Sequence, residues 1–129
     1  MTIDCANGVG FNTFKEFVPK ISQYFKPTLI NTEISNKKLL NYDCGAEYIH
    51  KENRFPSNFD DSAKACAFDG DADRLIYFSK RTSEDTRPTV IDGDKQFALI
   101  MTYVKKLLDE MNCADLVPYV LVNTAYSNG

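Results

Sequence analysis

Apolar residues recur along this chain at two different periods, and the period changes where the elements change. Phe14, Phe17, Val18, Ile21 and Phe25 stand three and four residues apart, the spacing of one helical face. Pro19 falls inside that run and predicts a kink or a second start, and Pro27 ends it. Phe97, Ile100, Met101, Val104, Leu107, Leu108 and Met111 form the clearest helical stripe, with Asp94 well placed as its N-cap. These stripes read as core. Short apolar or β-branched runs at residues 2–6, 28–32, 65–68, 75–78, 88–91 and 119–122 predict strands. Residues 46–53 predict a short helix stopped before Pro56-Ser57-Asn58. Strands that alternate with helices predict an α/β fold, a layered domain with a mixed β-sheet covered by helices.

The chain has 129 residues, enough for one core. With 43% apolar and 26% charged residues it reads as a folded globular chain. A net charge of −3 and no Lys/Arg stripe argue against nucleic acid as a partner. No apolar run approaches the roughly 20 residues of a membrane span, and no signal peptide opens the chain. Cys5, Cys44, Cys66 and Cys113 make no CxxC pair and His50 is the single histidine, so a zinc site has no ligand pattern. Reduced thiols in a cytoplasmic setting are expected. A strand close to each end predicts a piece cut from a longer chain.

The chemistry concentrates in Asp69-Gly70-Asp71-Ala72-Asp73-Arg74, between two predicted strands. In an extended loop alternate side chains share a side, so the three carboxylates are expected to converge. Like charges held together raise one another's pKa unless a cation joins them. Hard oxygen ligands suit Mg²⁺ or Ca²⁺, and a neighbouring guanidinium suits a phosphate. Metal and arginine together supply what phosphoryl transfer requires. An acidic surface turn is the plain alternative. A calcium loop of the EF-hand type fails, because Arg74 stands where its glycine belongs and Lys80 where its glutamate belongs. A phosphatase of the haloacid dehalogenase type, with Asp69 as nucleophile, fits Asp69-Gly70-Asp71 after an apolar strand. Asp73, however, stands where its threonine belongs.

Phe68-Asp69-Gly70-Asp71-Ala72-Asp73-Arg74 resembles the metal loop of the α-D-phosphohexomutases. Asp4-Cys5-Ala6-Asn7-Gly8-Val9-Gly10 resembles the opening strand and turn of that family's second domain. Asn41-Tyr42-Asp43-Cys44-Gly45-Ala46-Glu47-Tyr48-Ile49 is similar to its eukaryotic phosphoacetylglucosamine mutase branch. So are Ile91-Asp92-Gly93-Asp94-Lys95 and Asn123-Thr124-Ala125-Tyr126-Ser127-Asn128-Gly129.

The resemblance implies a second, metal-binding domain over residues 1–115 and the first strand of the following domain over 116–129. It implies Mg²⁺ held by Asp69, Asp71 and Asp73, with Arg74 as the catalytic contact to the migrating phosphoryl group. The whole enzyme would interconvert N-acetylglucosamine 6-phosphate and 1-phosphate through a phosphoserine and a bisphosphate intermediate. Its partners would be the phosphosugar substrate and the remaining mutase domains. No Thr-Ala-Ser-His-Asn-Pro-like segment occurs here, so the chain alone is expected to be inactive, a metal-binding domain or a non-catalytic remnant.

Four other features read as structural. Asp92 and Asp94 suit helix capping better than a second metal site. Asn7-Gly8 and Gly10 suit a tight strand-to-helix turn and lack the dinucleotide fingerprint. His50, beside Lys51 and Glu52, reads as a surface residue. Nothing near Cys44 marks an activated thiol.

Overall fold

A computed structural model describes residues 1–61 and 64–113. The expected strand at 119–122 and the expected boundary at 115/116 lie outside the described residues. The chain forms two compact units, Met1–Val90 and Ile91–Gly129.

Five strands make one mixed sheet: β1 (Thr2–Asp4), β2 (Thr28–Ile30), β3 (Ala65–Phe68), β4 (Leu75–Ser79) and β5 (Thr89–Ile91), in the order β2-β1-β3-β4-β5. β1 runs parallel to β2 and β3, whereas β3 and β4 are antiparallel and joined by the acidic loop. The helices of the first unit are α1 (Gly10–Ile21) and α2 (Gly45–Glu52). This is the expected α/β layering.

Alternation along the strands explains why both faces are covered. Ala65, Ala67, Ile76 and Phe78 point to one face and pack against Ala46 and Ile49 of α2. Phe55 and Phe59 stack at 5.0 Å and close over Phe78 on that side. Ile3, Cys5 and Cys66 point to the other face, against Phe11 and Phe14 of α1. The inner stripe of α1 is therefore Phe11, Phe14, Val18 and Ile21, while Phe17 and Phe25 are exposed. Pro19 does not divide α1, which continues to Ile21. A proline in the last turn costs the helix one bond, the one its missing N–H would have made to the Lys15 carbonyl a turn earlier, and only two helical residues follow it.

β1 and β2 are shorter than expected because left-handed residues follow them. Ala6 and Asn7 have φ of 54° and 52°, and Asn31 has φ of 51°. All three sit where the chain leaves the parallel strands for the loops at their carboxyl ends.

In the second unit, α3 spans Gly93–Glu110. Its cap is Asp92 rather than Asp94: the Asp92 carboxylate accepts from the Lys95 N–H at 3.0 Å. Asp92 has the extended backbone a capping residue needs, whereas Asp94 already lies in the first turn. The stripe of α3 departs from its reading as core. No residue of α3 is buried, and Ile100, Val104 and Leu107 are exposed. Periodicity reports that a helix has an apolar face, not what covers it. Among the described residues no helix is long and apolar enough to cross a membrane.

Candidate metal centre

The acidic loop leaves the carboxyl end of β3, the strand beside β1 in the middle of the sheet. Chain progression reverses here: β2 lies on one side of β1 and β3 on the other. Such a reversal opens a crevice at the strand ends, where ligands of α/β sheets bind.

The loop is not extended. The Ala72 N–H donates to the Asp69 carbonyl at 3.1 Å, closing a turn, and Ala72 adopts a φ of 61°. That turn, rather than simple alternation, folds the chain back and gathers the side chains. One carboxylate oxygen from each of Asp69, Asp71 and Asp73 lies within 4.8 Å of the others. Asp69 is buried; Asp71 and Asp73 are exposed.

Arg74 organises the buried member. Its Nε donates to Asp69 Oδ2 at 2.6 Å and its backbone N–H to Asp69 Oδ1 at 3.2 Å. Burial alone would push the Asp69 carboxyl up, but the Arg74 side-chain and backbone bonds outweigh it and hold the group below the ordinary carboxylate range. Asp73 is pushed the other way, by its hydrogen bond with the Asp69 carboxyl and then by the charges of Asp69 and Asp71. Three like charges held this close are relieved by a cation. The all-oxygen donor set fits Mg²⁺, a hard ion that takes a few carboxylates and keeps other positions for water or phosphate.

Two further segments brace the loop. The Val9 N–H donates to the Gly70 carbonyl at 3.0 Å, which fastens the turn before α1 to the loop. Asp4, buried at the end of β1, accepts from Ala6 N–H at 2.9 Å, Asn31 Nδ2 at 2.9 Å and Gly45 N–H at 2.7 Å. Gly45 has a φ of +87°, and a Cβ on it would come within 2.8 Å of the Ala6 Cβ and 3.1 Å of the Phe68 carbonyl oxygen. Asp4 thereby ties the end of β1 to the residue after β2 and to the start of α2, beside the strand that carries the loop.

Sequence reasoning missed Asp4 as a hub and Glu47 as a neighbour of Arg74. Glu47 Oε2 accepts from Arg74 Nη2 at 3.3 Å. An acidic residue in the first turn of a helix predicts only a favourable helix dipole. Its link to a residue 27 positions away had no signal in spacing. The features read as structural take those places: His50 is exposed on α2, and Asn7-Gly8 forms the strand-to-helix turn.

Comparison with known proteins defines the class first. The fold matches a solved N-acetylglucosamine-phosphate mutase, a member of the α-D-phosphohexomutase superfamily, in its apo form. The TM-score is 0.76 and the identity 34%, over 84% of this chain and 24% of that one. An Aspergillus fumigatus N-acetylphosphoglucosamine mutase, solved in complex with GlcNAc-6P and magnesium, matches with a TM-score of 0.83 and 29% identity. That match covers 98% of this chain and 26% of the other. The family model for phosphoacetylglucosamine mutase AMG1, domain II, matches residues 1–76. Phosphoacetylglucosamine mutases of Oryza sativa and Homo sapiens are 36% and 34% identical across 100% of this chain. The chain belongs to the phosphoacetylglucosamine mutase family. It spans about a quarter of the length of these curated relatives, 24% and 23%.

Proposed function

We propose that this chain is the metal-binding domain of a phosphoacetylglucosamine mutase that interconverts N-acetylglucosamine 6-phosphate and 1-phosphate within a longer protein. The observation that carries the reading is the meeting of three carboxylates at the end of β3, in a chain of this family. Magnesium, held by Asp69, Asp71 and Asp73, would supply positive charge beside a phosphoryl group. Arg74 would act as the catalytic contact. Its guanidinium is a third exposed and donates two N–H groups to Asp69 and Glu47 among the described residues. A guanidinium has five, so others are available to phosphoryl oxygens. Asp69 would orient both the cation and Arg74, since its two oxygens already accept from Arg74 and a carboxylate offers about four lone-pair sites in all.

The phosphoserine, the sugar contacts and a bisphosphate intermediate would belong to the longer protein, so these 129 residues alone are expected to be inactive. A cytoplasmic setting goes with the reading, in keeping with four free cysteines. The haloacid dehalogenase alternative is not favoured. It would need a threonine where Asp73 stands, and the relatives are mutases.

The test is a mutase assay on the longer protein, comparing the parent with Asp71→Asn, beside the 129-residue chain. Activity in the parent only is expected. Full activity in Asp71→Asn, or turnover by this chain alone, would overturn the reading.

A further inference from the structure

Arg74 is held from two sides. Its Nε bonds Asp69 at the loop, and its Nη2 bonds Glu47 on α2. Two anchors on different nitrogens of a rigid planar fork fix the plane of the guanidinium, whereas one anchor leaves it free to swing. A swing would have a destination: Asp73 Oδ1 already stands 3.8 Å from Arg74 Nε.

Glu47 is itself tethered. Its other oxygen, Oε1, pairs with Lys51 one turn further along α2. The helix is seated on the sheet through the buried Ala46 and Ile49. A continuous path therefore runs from the packed core through α2 and Glu47 to Arg74 and Asp69.

We propose that Glu47 is a positioning residue for the metal centre, which keeps the Arg74 guanidinium off Asp73 and fixed beside Asp69. This rests on the metal-site reading above. Without Glu47, Arg74 would draw its whole compensation from Asp69 and Asp73, two of the three carboxylates a cation needs. Arginine and cation would then compete for the same oxygens.

The experiment titrates Mn²⁺ into the 129-residue chain by electron paramagnetic resonance for the parent, Glu47→Ala and Glu47→Asp. The aspartate keeps the charge but shortens the reach from α2. Positioning predicts that both variants bind Mn²⁺ about three- to tenfold more weakly, in the lower part of the range of coupling between touching side chains. If Glu47 acted only through its field, Glu47→Asp would bind like the parent, and that result overturns the proposal.

A second readout is independent of metal: the exchange rate of the Arg74 Nε–H with water, by ¹⁵N nuclear magnetic resonance. It is expected to rise in both variants, and an unchanged rate overturns the proposal. Should the parent bind no Mn²⁺, the metal-site reading falls, and the Nε–H rates still decide whether Glu47 holds Arg74.

Discussion

A Cβ placed on Gly8 would lie 2.3 Å from the carbonyl oxygen of Gly70, a backbone-to-backbone approach that no side chain fits. The strand-to-helix turn and the acidic loop are thus pressed together where neither has a flexible side chain to yield. The contact makes Gly8 a support of the metal loop, although it bears no functional group.

Gly8→Ala is expected to push the loop off the turn and to cost about 1–3 kcal/mol, the usual penalty of overpacking. Val9→Ala next to it, on an exposed side chain, should stay within about 0.5 kcal/mol. Urea denaturation of both variants checks the difference. Equal stability of the two would mean that the approach of Gly8 to Gly70 is not tight in solution.

Millimolar Mg²⁺ should raise the melting temperature of the chain slightly, by a binding-linked gain of about 1–3 kcal/mol at large excess. Asp71→Asn should abolish the rise. Asp71 is the best probe because it is exposed, so the substitution leaves the core untouched. A thermal melt with and without the ion decides the matter.

Arg74→Met should destabilise by about 1.5–3 kcal/mol at neutral pH, since it removes hydrogen bonds between charged groups from a buried carboxylate. The effect has a sign in pH. The folded-state pKa of Asp69 is lowered, so the stability it contributes is present above its unfolded value and is lost as pH falls through the lowered folded value. The gap between parent and variant, followed by urea denaturation from pH 7 downwards, should therefore be widest near neutrality and close in acid. A gap that widened in acid would contradict the pairing of Arg74 with Asp69.

Asp4→Asn should cost about 1–3 kcal/mol although it nearly conserves shape. Asp4 accepts from three N–H groups and donates to none of them. An asparagine must turn its NH₂ toward at least one of those donors. Chemical denaturation measures the loss, and amide exchange at Ala6 and Gly45 should report it locally.

Cys5, Cys44 and Cys66 should resist alkylation in the folded chain. Burial, then the nearby Asp4 charge, pushes each thiol up to about 12. At pH 8 almost none of the reactive thiolate is present. Cys113, partly exposed, should react first with iodoacetamide, and the other three only on unfolding. Mass spectrometry of peptides after timed labelling would reveal the order.

Some of this molecule was written along the chain. The three aspartates, the arginine after them and the strands on either side were legible because the signals are local: adjacent residues, alternating polarity, a change of period. The α/β class was legible for the same reason. Local signals also misled in detail. Asp92 and Asp94 both suited a cap, and only the backbone at the start of α3 chose Asp92. The spacing put Phe17 in the helical stripe and left Phe11 out of it, and only the docking of α1 on Ile3 and Cys66 turned Phe11 inward and Phe17 out.

What the chain could not announce was who meets whom across the fold. Glu47 reaches Arg74, Asp4 reaches Gly45, and Gly8 meets Gly70 because the carboxyl ends of β1 and β3 lie side by side. Such meetings depend on strand order and on the seating of helices, which bring together residues 27 to 62 positions apart. The aspartates by themselves specified an appetite for a cation; the packing around them decided how their charge is held.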